Sequence, residues 1–127
     1  MKNKLRFKAE LREIELAKGH SNVSQLKDFK PDDPLKFEIG IEIFVGIEGG
    51  NGTDRFDISI CTPSWIEASL EAESCIIGHG KLIVSRYSYD EIINQIESYL
   101  NMCVGGNVDD VMRRVGLLGE WEYEWEI

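Results

Sequence analysis

LKFEIGIEIFVGIE, residues 35–48, decides the architecture. Phe37, Ile39, Ile41, Ile43 and Val45 recur at every second position, opposite Glu38, Gly40, Glu42 and Phe44. Successive side chains of a strand point to opposite sides of a sheet, so this spacing predicts one apolar face and one acidic face. GGNG at 49–52 reads as a hairpin turn, because glycine and asparagine tolerate positive φ. The returning strand, about residues 53–61, keeps the alternation, with Phe56, Ile58 and Ile60 inward and Arg55, Asp57 and Ser59 outward. Such strands suit a sheet with one packed and one wet face.

After the hairpin the period changes. In CTPSWIEASLEAE, residues 61–73, Thr62 can cap a helix and Pro63 suits its first position, where a missing N–H costs nothing. Ile66 and Leu70 at i, i+4 supply an apolar stripe beside Trp65. KLIVSRY, after the glycines at 78 and 80, resumes a strand. Ser88 and Glu91 have the capping-box spacing, ahead of a helix with Ile92, Ile93, Ile96 and Leu100 at core positions. A shorter helix follows Asn107, with Val108, Val111, Met112 and Val115 inward.

Upstream, Leu5, Phe7, Ala9 and Leu11 alternate with Lys4, Arg6, Lys8, Glu10 and Arg12, and the pattern then shifts phase to Ile14 and Leu16. A bulge near Glu13 accounts for the shift. Residues 17–34 are irregular, and Pro31 and Pro34 argue against any element running through them. The predicted order is β-β-β-α-β-α-α-β. It makes an α+β fold in a single domain, residues 1–127, with a mainly antiparallel sheet of about five strands and two or three helices packed on one face.

The chain closes on EWEYEWEI, residues 120–127. Read as a strand, it sets Trp121, Tyr123, Trp125 and Ile127 on one face and Glu120, Glu122, Glu124 and Glu126 on the other. Carboxylates about 6.7 Å apart along a strand repel by about 0.6 kcal/mol per pair in water and about 2.5 kcal/mol at a surface-like dielectric. Either the basic side of residues 4–12 neutralises them as a neighbouring strand, or a cationic partner does.

The composition has 14 basic and 23 acidic residues and a net charge of −9, which disfavours nucleic acid and anionic membrane as partners. No secretory signal or apolar run of spanning length is expected, and three dispersed cysteines suit a reduced cytoplasmic chain. His20 and His79 have no metal-ligand spacing, and no phosphate-binding or nucleophile-elbow motif occurs. Cys61 and Cys75 sit in apolar surroundings that favour inert packing over nucleophilic chemistry. The expectation is a protein without catalytic residues, metal or cofactor.

Several stretches together resemble the immunity protein 8 family of bacterial polymorphic-toxin systems. They are KPDDPLKF (30–37), GTDRFDISICTPSWI (52–66), HGKLIVSRYSYDEI (79–92) and GEWEYE (119–124), in the expected order. The resemblance implies a non-catalytic protein that binds and neutralises a cognate toxin domain. Its recurring residues, here Thr62, Pro63, Trp65, Tyr87 and Trp121, read as architectural: a cap, a first-turn proline and large apolar anchors. The resemblance carries over no interface residues, so candidates come from charge. They are Glu120, Glu122, Glu124 and Glu126, with Glu38, Glu42 and Asp57 if their strands share the open face, and Phe44 as an aromatic anchor among them. The partner would be basic, possible classes including a nuclease, and the free protein a monomer or weak dimer. The rival readings are a ligand-binding or scaffold domain that uses the terminal aromatic row and a metal-dependent hydrolase built on acidic residues.

Overall fold

Alternating apolar residues can bury one face of a sheet only if something covers that face, and here two helices do. The computed structural model describes residues 6–19 and 23–123. In chain order its elements are β1 (Phe7–Leu16), β2 (Glu38–Ile47), β3 (Asp54–Cys61), α1 (Pro63–Glu73), β4 (Lys81–Ile83), α2 (Tyr89–Asn101), β5 (Val104–Gly105), α3 (Val108–Val115) and β6 (Glu120–Trp121). A short 3-10 turn, Leu26–Asp28, lies between β1 and β2. The α+β architecture is the one the periodicities predict, with the two-residue β5 added between the second and third helices.

The strands lie in the order β4-β3-β2-β1-β5, and β6 also pairs with β3. β1, β2 and β3 form an antiparallel meander. β4 runs parallel to the end of β3, from Ser59 to Cys61, while β6 pairs antiparallel with Phe56 and Asp57. The phase shift in the first strand is a bulge between Leu11 and Glu13. It lets Ala9 and Leu11 before it, and Ile14 and Leu16 after it, face the same core.

That core joins Ile39, Ile41, Ile43 and Val45 of β2 and Phe56, Ile58 and Ile60 of β3 to Ile92, Ile96 and Leu100 of α2 and Val111, Met112 and Val115 of α3. Thr62 is fully buried. Its Oγ1 accepts from Trp65 N–H at 3.4 Å, as a helix cap, and from Phe37 N–H at 3.2 Å. Ser88 and Asn107 cap α2 and α3 by accepting from Glu91 N–H and Asp110 N–H. Tyr87 fastens the long loop: its hydroxyl donates to Leu26 O at 2.9 Å, and its ring meets Phe29 and Phe37 edge-on. α1 differs from the other helices, since none of its residues is buried. Trp65 is accordingly half-exposed, with Lys81 Nζ 5.8 Å from the centre of its ring, and anchors no core.

Among the described residues of the closing segment, the strand spans Glu120 and Trp121, and Glu122 and Tyr123 lie in a turn. Glu124, Trp125, Glu126 and Ile127 fall outside the described residues. Nor does the first strand neutralise Glu120 and Glu122, because β2 and β3 stand between β1 and β6. Arg12 is engaged elsewhere. Its Nη2 donates to Ile47 O at 2.7 Å and Gly50 O at 3.0 Å, pinning the 48–53 hairpin loop, and its Nε pairs with Glu10. Gly46 leaves room for this guanidinium, since a Cβ there would lie 2.7 Å from Arg12 Cζ.

Candidate functional site

The sheet face opposite α2 and α3 holds the outward set of each alternating strand, and register decides which of its residues meet. Glu15 stands opposite Glu42, Glu42 opposite Asp57, and Asp57 opposite Glu120. Four carboxylates therefore form one row across four strands. Directly opposed side chains have Cβ atoms about 5 Å apart, closer than same-face neighbours along one strand, and like charges there destabilise the pair. In water such a separation costs about 0.8 kcal/mol per pair of unit charges. A cleft of about 310 Å³ opens beside the row, lined among others by Gly40, Glu42, Asp57, Ser59, His79 and Glu120.

A hydrogen bond with Glu13, then desolvation and the Glu13 charge, raise the Glu15 carboxyl above its ordinary 4.5. Arg55 Nε approaches Asp57 Oδ1 to 3.3 Å, but neither atom completes a hydrogen bond. Burial raises the Asp54 carboxyl above 3.8, a shift that Trp121 Nε1–H, donating to Oδ2 at 3.2 Å, opposes and the charge of Glu122 reinforces.

The sequence candidates divide accordingly. Glu42, Asp57 and Glu120 come together in the row. Glu38 stands on the same face, where its Oε2 accepts from Ser59 Oγ–H at 2.7 Å. Phe44 lies one pair away, between Glu13 and Arg55, half-exposed. Glu122 serves the fold: its Oε2 accepts from Arg55 N–H at 2.6 Å, and its own N–H donates to Arg55 O at 3.0 Å. The aromatic row does not persist as a platform over the described residues. Trp121 stacks on the buried Phe56, with centroids 6.1 Å apart and planes 14° from parallel, and Tyr123 meets it edge-on. Charge counting missed Glu15. The phase shift at Glu13 was the available signal, because it puts residues 13 and 15 on the side of Glu10.

Two of the three cysteines are poorly suited to nucleophilic chemistry. Cys61 and Cys103 are buried, and desolvation raises both thiols above 9.0, away from the thiolate a nucleophile needs. Cys75 is exposed. His79 Nε2 lies 2.9 Å from Gly116 O, where only the protonated nitrogen can bond, so this contact fixes the tautomer. Among the described residues no group of three His, Cys, Asp or Glu side chains is placed to hold a metal, and no helix is long and apolar enough to cross a membrane.

The family model for Immunity protein 8 matches residues 9–125. The chain belongs to that family. Its members are immunity proteins of toxin systems, generally non-catalytic, and the partner such a protein implies is a toxin protein. No curated protein and no solved structure matches the chain.

Proposed function

We propose that this immunity protein neutralises its cognate toxin by docking the open sheet face, centred on Glu15, Glu42, Asp57 and Glu120, onto a basic surface of the toxin and covering its active site. The observation that carries the reading is the alignment of four carboxylates across four strands on a face that neither α2 nor α3 covers. Opposed like charges weaken a sheet, so the row costs the free protein stability. A cationic partner turns that cost into attraction, and complementary charge chiefly accelerates encounter. Glu38 and Phe44 border the row and belong to the same interface. Glu124 and Glu126 are assigned to it on their charge alone.

A toxin that acts on nucleic acid fits this chemistry first, because a groove that holds phosphates is lined by Lys and Arg. An acidic face then competes for the groove that the substrate needs. The protein acts in the cytoplasm of the producing cell, as a monomer or weak dimer until the toxin arrives.

The experiment is calorimetric and kinetic titration with the toxin domain encoded beside this chain, at low and moderate salt. Stoichiometric binding that weakens with salt is expected, with association slowed at least tenfold by Glu42→Lys or Glu120→Lys. Binding indifferent to salt and to both reversals would move the interface off this face. Absence of binding would overturn the proposal.

A further inference from the structure

We propose that α1 and the adjoining strand β4 form a second contact area for the same basic toxin, one that retains the complex after the carboxylate row has attracted it. The inference rests on the toxin-binding reading above and assigns a different part of the molecule to it.

α1 spans Pro63–Glu73 and buries no residue, whereas α2 and α3 each place three in the core. Trp65 and Ile66 are half-exposed, and Leu70 keeps 41% of its surface in solvent. An isolated helix of this length is marginal in water. Its N-terminus is secured by Thr62 and Pro63, whereas Glu71 and Glu73 lie in its last turn with no basic residue there. The carbonyl end of a helix carries partial negative charge and favours cations, so these two glutamates are electrostatically misplaced in the free protein. A basic partner corrects the mismatch. With Glu67, every charged side chain of α1 is acidic.

Position joins this helix to the row. Lys81 and Ile83 of β4 pair with Ser59 and Cys61 and so project on the open side of the sheet. Lys81 Nζ lies over the Trp65 ring, which brings α1 against that side, and Ser59 is the residue bonded to Glu38. Ile83 is 57% exposed. Apolar side chains therefore border the acidic face, and α1 continues its charge. In protein interfaces charges mainly set the rate of approach, whereas a few desolvated aromatic and aliphatic anchors set the residence time.

The test measures association and dissociation separately, using the catalytically inactivated toxin domain encoded beside this chain. The double variant Leu70→Ser, Ile83→Ser should dissociate at least tenfold faster with an association rate within twofold of wild type, its circular dichroism unchanged. Hydrogen exchange on the wild-type complex requires no substitution and should show the α1 amides slowed on binding. If the toxin binds but dissociation stays within twofold and α1 exchange is unaltered, α1 lies outside the interface and the inference is overturned while the toxin reading stands. If wild type does not bind at all, both fall together.

Discussion

Glu42 and Asp57 face one another across the β2–β3 pair, two carboxylates in a cross-strand position where opposite charges would stabilise. Asp57 has Arg55 within 3.3 Å as partial relief, while Glu42 is flanked by Glu15 on its other side. Glu42→Gln should therefore stabilise the free protein by about 0.2–1 kcal/mol, the scale of one cross-strand pair. Denaturant midpoints compare the two chains directly. A lower midpoint for the variant would mean that the row serves the fold and would remove the main physical reason for assigning it to a partner.

Arg12 binds the hairpin loop by donating to Ile47 O and Gly50 O. Hydrogen bonds from a charged donor contribute about 1.5–3 kcal/mol each where solvent is excluded, and less at this partly exposed site. Arg12→Met, which keeps the aliphatic stem, should cost about 1–2 kcal/mol. Amide exchange should quicken in residues 48–53 before it does in the core. Gly46→Ala should cost at least as much, because a Cβ there would lie 2.6 Å from Gly52 O in the loop backbone as well as 2.7 Å from Arg12 Cζ.

The strands and helices were legible because each carries its own period. The 35–61 hairpin, the bulge near Glu13, the Thr62–Pro63 start of α1 and the Ser88 and Asn107 caps are local features, and local sequence specifies them. Strand order is not local. Nothing in the sequence of β1 or β6 says that two strands will intervene between them. The use of Arg12 on a loop about 35 residues away was equally hidden. The acidic candidates were found by sign, but their arrangement needed register. Glu122 was chosen by its sign alone, and its bond to Arg55 N–H was hidden because it depends on a turn at the end of β6. α1 carries an apolar stripe like the other helices, and only the tertiary structure leaves that stripe off the core.

Thr62 joins two elements through one oxygen. Its Oγ1 caps α1 at Trp65 and also accepts from the N–H of Phe37, the residue before β2. Thr62→Ala removes the cap and leaves a buried donor without its acceptor, at about 2–4 kcal/mol for the two effects together. Thr62→Ser keeps the oxygen and should recover most of the loss, leaving the smaller cost of a deleted buried methyl. Equal destabilisation by both substitutions would assign the role of Thr62 to packing instead.

Asp54 predicts a pH dependence of known sign. Burial is the main cause that raises its carboxyl above 3.8, against the opposing hydrogen bond from Trp121. A raised folded-state value means that the folded protein holds the proton more tightly than the unfolded chain does. Its contribution to stability is complete below the unfolded value, near 3.8, and is lost as pH rises through the folded value. Asp54→Asn retains an oxygen to accept from Trp121 Nε1–H and cannot ionise. The stability difference between variant and wild type should therefore be flat below pH 3.8 and shift in favour of the variant as the pH climbs. Unfolding free energies measured across that range read the difference directly. A shift in favour of wild type would show that the Trp121 bond to the ionised carboxylate outweighs its burial, and that Asp54 fixes β6 to β3 as an anion.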